Sequence, residues 1–103
     1  MFVCQWSFDI PFGKQREAIE AVKAWGLEKM RSSTFRKSTN RLLVGHVGAS
    51  ASHVVDEYFF ESIEDFEQAL ADMGQPQFQK HAEALAPYVV PGTQRWTIYR
   101  VVS

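Results

Sequence analysis

The sequence predicts a single α+β domain over residues 1–103, with a four-stranded antiparallel sheet covered on one face by helices in the order β-α-β-β-α-α-β. Large apolar side chains alternate with smaller or polar ones at both ends of the chain and in two stretches near its middle. Between those stretches, apolar residues recur at steps of three and four. Pro and Gly punctuate the joins.

The first strand runs Phe2 to Phe8, with Phe2, Cys4, Trp6 and Phe8 on one side and Val3, Gln5, Ser7 and Asp9 on the other. Pro11 and Gly13 interrupt it. Ala18, Ile19, Val22, Trp25, Gly26 and Met30 then line one side of a helix that ends near Ser32-Ser33-Thr34. A second strand is expected from about Arg41 to Val47, a turn at Gly48-Ala49-Ser50, and an antiparallel partner from His53 to Phe60. Ser62 is placed to cap the next helix, with Asp65 in its first turn and a stripe of Ile63, Phe66, Ala69, Leu70 and Met73. Gly74 closes that helix. Pro76 opens a short one striped by Phe78, Ala82 and Leu85. Pro87, Pro91 and Gly92 make a turn into a last strand, Arg95 to Val102.

Counting faces gives a further expectation. The third strand is apolar on both sides (Val55/Phe59 and Val54/Tyr58/Phe60), and so is the last (Trp96/Ile98 and Tyr99/Val101). Helices can cover only one side, so a second copy of the chain is expected on the other, closing two sheets into a dimer. Val3, Tyr99, Val101 and one phase of Leu42/Val44 or Leu43/Val47 would form the seam.

Composition narrows the function classes. With 46% hydrophobic residues, 14% aromatic and a net charge of −1, the chain is neither disordered nor a general polyanion binder. Its apolar runs are too short to span a bilayer. The opening residues have no basic or apolar leader pattern, and Cys4 is the lone cysteine, so a cytoplasmic setting is expected. Basic residues cluster between Lys29 and Arg41 (Lys29, Arg31, Arg36, Lys37, Arg41), a segment able to hold a phosphate but more ordinarily a solvated loop. An RNA-recognition surface would need a basic-glycine-aromatic signature on the third strand, which is instead acidic at Asp56-Glu57; nucleic acid is not expected as a partner.

Tyr58-Phe59-Phe60-Glu61-Ser62-Ile63-Glu64-Asp65-Phe66-Glu67-Gln68-Ala69-Leu70, followed by Pro76-Gln77-Phe78-Gln79-Lys80-His81 and a closing strand, resembles the dimeric α/β-barrel superfamily of ferredoxin-like domains. That superfamily includes antibiotic-biosynthesis monooxygenases, EthD-type, NIPSNAP-type and stress-responsive barrel proteins. The resemblance implies two sheets paired into a barrel and a small molecule held between sheet and helices, with reactions that range from cofactor-free oxygenation to cyclisation and isomerisation. The positions at which polyketide cyclases of the superfamily carry tyrosine and histidine fall near Ala69 and Gln75 here, so that chemistry is not implied.

The candidate chemistry is therefore read from the residues themselves. His81 could serve as a base near neutral pH, although its place on an apolar stripe suits a core-edge histidine. Tyr58 and Asp56 sit on a strand interior, and Asp56 gains interest if it points inward. Trp6, His46, Phe60, Phe66 and Trp96 are the expected pocket walls, and Trp6, Phe60 and His81 are expected at one cavity. His46 and His53 flank a turn and could face each other across it; no pair of histidines has zinc spacing, and no metal or cofactor is expected. Two functions compete: a cofactor-independent monooxygenase, cyclase or isomerase acting on an apolar or aromatic metabolite, and a non-catalytic ligand-binding or accessory dimer.

Overall fold

The computed structural model describes residues 1–103. Strands β1 (Phe2–Asp9), β2 (Thr39–Val44), β3 (His53–Phe60) and β4 (Arg95–Arg100) form one antiparallel sheet in the order β2-β3-β1-β4. Helices α1 (Gln15–Ser32), α2 (Ile63–Asp72) and α3 (Gln79–Leu85) cover one face. The two central strands, β1 and β3, pair along their whole length, from Phe2 opposite Phe60 to Asp9 opposite His53. This is the split β-α-β architecture with the ferredoxin-like strand order.

Register assigns the faces. Trp6 pairs with both Asp56 and Trp96, and Leu42 pairs with Asp56, so Cys4, Trp6, Phe8, Leu42, Val54, Asp56, Tyr58, Phe60 and Trp96 look toward the helices. Two apolar clusters fill that layer. One joins Trp6, Phe8, Ile10, Ala18, Val22, Val54 and Leu85; the other joins Cys4, Phe35, Tyr58, Phe60, Phe66 and Ala69. Trp96 packs against both.

The opposite face carries Val3, Gln5, Leu43, Val55, Glu57, Phe59 and Tyr99. No helix crosses it, and Leu43 and Tyr99 are exposed in the single chain. A polar row runs through its middle: Gln5 Nε2 donates to Glu57 at 3.0 Å, and Arg41 forms an ion pair with the same carboxylate. Apolar residues flank that row, Leu43 and Val55 on one side and Phe59, Val3 and Tyr99 on the other, while Ser7, Arg95 and the Asp9–His53 pair make one end of the face polar.

Several expected boundaries move. The second strand begins at Thr39 and stops at Val44, not Val47. Gly45 closes the ladder by donating to the carbonyl of His53, and a Cβ there would lie 1.9 Å from the carbonyl oxygen of Ser50, so the chain turns away at the one residue that permits it. His46 is consequently beyond the ladder and does not face His53; His53 instead meets Asp9 on β1, Nδ1 to Oδ1, at 2.8 Å. Gly74 is not a left-handed helix stop: α2 unwinds through overlapping turns at Met73, Gly74 and Gln75. The basic segment from Lys29 to Arg41 is not a free solvated loop, because Arg31 pairs with Glu28, Lys37 with Asp65 and Arg41 with Glu57.

The cap on α2 is as expected, the amide of Asp65 donating to Ser62 Oγ at 3.2 Å. Replacing Ser62 with Ala should lower stability by about 1 kcal/mol, measured by urea unfolding, since it strips one first-turn amide of its acceptor. An unchanged midpoint would show that water replaces the hydroxyl without loss.

Candidate functional site

Helix α1 carries Ala18, Val22, Trp25 and Lys29 at steps of four, three and four, which lie on one side of a helix and face the sheet. The last position of that stripe is a lysine. Lys29 is 3% exposed, and its ammonium reaches Asp56 on β3 at 3.6 Å and donates to Tyr58 Oη at 3.1 Å. Tyr58 donates in turn to Asp56 Oδ2 at 2.6 Å, and Asn40 Nδ2 donates to Asp56 Oδ1 at 2.8 Å. The carboxylate therefore has a donor on each oxygen and a cation beside it.

Aromatic rings surround the ammonium. Lys29 Nζ lies 4.6 Å from the centre of Trp25, 5.0 Å from Trp6 and 5.2 Å from each of Phe35 and Tyr58. Ring faces attract a cation, by about 0.5–2 kcal/mol each, and so replace part of its lost hydration. They do not replace all of it. Burial draws the Lys29 pKa down from 10.5 to about 8, against the opposing pull of Asp56. Burial and the neighbouring Asp56 charge both push the Tyr58 phenol far above its ordinary value, so it remains a donor.

The ion pair is the partition between two openings. On the Lys29 side, a pocket of about 210 Å³ is lined by Trp6, Trp25, Phe35, Leu70, Met73 and Trp96 together with Lys29 and Gln94. A smaller recess of about 100 Å³ adjoins it, sharing Trp6, Trp25 and Gln94 and bounded by α3 residues Ala82 and Leu85. On the Asp56 side, a cleft of about 320 Å³ lies between α1 and β2, with Asn40, Leu42, Gly26 and Met30 in its walls. All three tryptophans of the chain stand around the Lys29 pocket. The Trp25 indole meets Trp6 edge to face at 5.6 Å, and its Nε1 is buried with no hydrogen-bond partner. It is the one buried side-chain polar atom so left.

The residues expected at the site divide into three groups. Trp6 and Trp96 line the pocket, and Asp56 and Tyr58 stand behind Lys29. Phe60 and Phe66 are core residues, packed edge to face at 5.7 Å and outside the pocket wall. His46 is exposed beyond β2, and His81 is half-buried on α3 without lining a cavity, so the expected meeting of Trp6, Phe60 and His81 does not occur. Burial, then the charge of Lys80, lowers the His81 pKa. Grouping Lys29 with its basic chain neighbours hides it as a site residue; the helical stripe from Ala18 is the signal that reveals it. No cluster of three or more His, Cys, Asp or Glu is positioned for a metal ion, and no helix is long and apolar enough to cross a membrane.

Comparison with known proteins assigns the fold. No family model matches the chain, and no curated protein matches it by sequence. Solved structures do match. An uncharacterized NIPSNAP domain protein from Burkholderia xenovorans superposes with a TM-score of 0.78 at 16% identity, covering 100% of this chain and 96% of that one. SnoaB, a cofactor-independent oxygenase from Streptomyces nogalater, gives 0.73 at 18% identity, covering 99% and 93%. A Caulobacter crescentus protein carrying an antibiotic-biosynthesis-monooxygenase name gives 0.74 at 10% identity, covering 99% and 90%. The chain has the ferredoxin-like fold of these NIPSNAP and monooxygenase-like proteins, as the strand-end aromatic and capped helix suggested.

The charge cluster makes a stability test possible. Lys29→Met should destabilise the fold by roughly 3–5 kcal/mol, because it leaves the Asp56 carboxylate buried without its cation. The triple variant Lys29→Met/Asp56→Leu/Tyr58→Phe, which removes the cation, the carboxylate and the phenol together and leaves Asn40 Nδ2 its bond to the Glu57 carbonyl, should recover most of that loss in urea unfolding. A triple variant as unstable as the single one would show that the cluster is required by the fold itself.

Proposed function

We propose that the protein is a cofactor-independent enzyme acting on a small, flat, largely apolar metabolite that carries an acceptor oxygen, held in the Lys29 pocket. The observation that carries this reading is the desolvated ammonium of Lys29 in the wall of an aromatic pocket. Asp56 and Tyr58 engage the inner side of the ammonium, which has three N–H donors to give. An oxygen of the occupant accepts from Lys29, while its ring packs among Trp6, Trp25 and Trp96. Trp25, whose buried Nε1 has no hydrogen-bond partner, belongs to the same wall.

An ammonium beside a carbonyl or enol oxygen stabilises the anion formed when the neighbouring C–H or O–H gives its proton to solvent water, and a low-dielectric wall strengthens that effect. Isomerisation, ring closure and reaction of an electron-rich anion with dioxygen all pass through such a species. The name of SnoaB, a cofactor-independent oxygenase on the same fold, is consistent with this class. A binding protein without catalysis is favoured by one observation, that none of the three histidines lines the pocket, so no imidazole base touches the occupant.

The proposal includes a homodimer. The apolar residues of the uncovered sheet face, Val3, Leu43, Phe59 and Tyr99, would be buried against the same surface of a second copy, in an interface on the order of 2,000 Å². The Gln5–Glu57–Arg41 row and the Asp9–His53 pair are partnered within one chain, which leaves Arg95 on that face for the partner copy or water to meet.

2-Naphthol tests the pocket. It should shift the three indole N–H cross-peaks in a ¹H–¹⁵N spectrum saturably, and naphthalene, which lacks the oxygen, should do so at least about tenfold more weakly. Affinity should fall as pH rises through about 8, where Lys29 passes from ammonium to amine while the ligand hydroxyl is still neutral. The charged and titratable groups around Lys29 are Asp56 on β3, Glu28 and Arg31 on α1 and His81 on α3, and burial, then the charge of Lys80, holds the His81 pKa below its ordinary value. Indole signals that do not move would refute the pocket.

Sedimentation tests the dimer. The chain should persist as a dimer at low micromolar concentration in high salt, because apolar burial is not screened. Tyr99→Glu should dissociate it. A folded 11.8 kDa monomer under those conditions would refute the interface.

A further inference from the structure

We propose that Lys29 captures aldehydes or ketones covalently, its ε-amine condensing to an imine with a carbonyl compound seated among Trp6, Trp25 and Trp96, while Tyr58 and Asp56 relay the protons. This deepens the pocket reading and rests on it. Of the five lysines, Lys14, Lys23, Lys37 and Lys80 are exposed, Lys23 at the rim of the α1–β2 cleft; Lys29 alone is buried, and it alone lines the pocket of the three tryptophans. An amine in that position meets a carbonyl carbon with little competing water.

The hydrogen-bond chain runs in one direction, from Lys29 Nζ to Tyr58 Oη and from Tyr58 to Asp56 Oδ2, over 3.1 and 2.6 Å. A proton leaving the ammonium passes to the phenol oxygen as the phenol proton passes to Asp56. The products are a neutral amine, an intact tyrosine and a protonated carboxyl. The amine nitrogen then forms a bond to the carbonyl carbon, and the carbonyl π electrons move to oxygen, which takes up the second amine proton. The proton stored on Asp56 returns through Tyr58 to the carbinolamine hydroxyl, which leaves as water while the nitrogen lone pair forms the C=N bond. An aldehyde and an amine give an imine and one water, with no oxidant or reductant. The lowered affinity of Lys29 for its proton supports the first step, since the neutral amine is accessible near neutral pH.

The pocket selects the carbonyl compound. Its walls carry no charge besides Lys29, and its volume of about 210 Å³ suits one ring with a short unsaturated arm. An uncharged aromatic or conjugated aldehyde fits. A protonated imine at that point is a stronger electron sink than a hydrogen-bonded carbonyl and would acidify the adjacent C–H of the same substrate.

Cinnamaldehyde with cyanoborohydride tests the proposal on the native protein, because reduction fixes the imine as a stable amine. Intact mass should show one cinnamyl-type addition per chain, and peptide mapping should place it on Lys29. The rate should rise between about pH 6.5 and about pH 8.5, as the amine form grows. Tyr58→Phe should slow labelling of Lys29 by about tenfold or more beyond any loss of 2-naphthol affinity measured on the same variant, since it breaks the relay. Labelling confined to Lys14, Lys23, Lys37 and Lys80 would overturn the proposal. If 2-naphthol still moves the indole signals in that event, the pocket stands and the covalent step alone is refuted. If neither occurs, both fail.

Discussion

The contact between Lys29 and Asp56 constrains the rest of this molecule. A lysine on the buried stripe of a helix must find a counter-charge or lose its proton, and an aspartate at the centre of a sheet is under the same demand. Here α1 and β3 answer each other. The register that sets Trp6 opposite Asp56 also sets Tyr58 two residues along the same face, within reach of both charges. Sliding β3 by one residue would send Asp56 to the uncovered face and leave the ammonium alone among aromatic rings. The pair thus opposes the error in strand pairing to which a sheet apolar on both sides is most prone.

The same pair explains why cavities lie where they do. Side chains pack closely around apolar neighbours, but an ion pair needs its own geometry, and the rings around it cannot close further without losing the cation–π distances. Pockets consequently flank the pair on either side, one walled by tryptophans and one by aliphatic residues of α1 and β2. Stability alone would favour apolar residues of similar volume at these positions.

Much of this architecture is legible in the amino-acid sequence. Alternation in Phe2 to Phe8 and His53 to Phe60 identifies both strands and their faces, because period two has only two phases and one contains every large aromatic of β1. The Ser62 cap and the proline at the start of the Pro76 turn are visible because they are local chemistry. The end of the second strand is not visible in the same way. Leu42 to Val47 has apolar content at every other step, whereas the turn is set by the carbonyl of Ser50, a tertiary neighbour of Gly45. Lys29 escapes notice for a related reason: reading charge along the chain groups it with Arg31 and Lys37, while the helix arranges residues at steps of three and four. The histidines illustrate the converse. Their ordinary pKa range attracts attention in a sequence, yet position decides use: the early end of β2 leaves His46 beyond the sheet, and His81 on α3 is turned toward the Glu28–Arg31 end of α1 without entering the pocket wall.

Sharing a fold with a NIPSNAP domain and an oxygenase at below 20% identity shows how little of the architecture depends on particular side chains. The sheet order needs alternation, a cap and a few glycines; many sequences supply those. What breaks the pattern in this chain is a charged group where the helical stripe calls for an apolar one. A pattern-breaking lysine survives in a core only with its partners in place, since Lys29 without Asp56 is a buried unpaired charge, and Asp56 without Tyr58 and Asn40 has carboxylate oxygens that accept from no donor. The cluster is therefore all or nothing, and its chemistry belongs to these side chains and not to the fold that carries them.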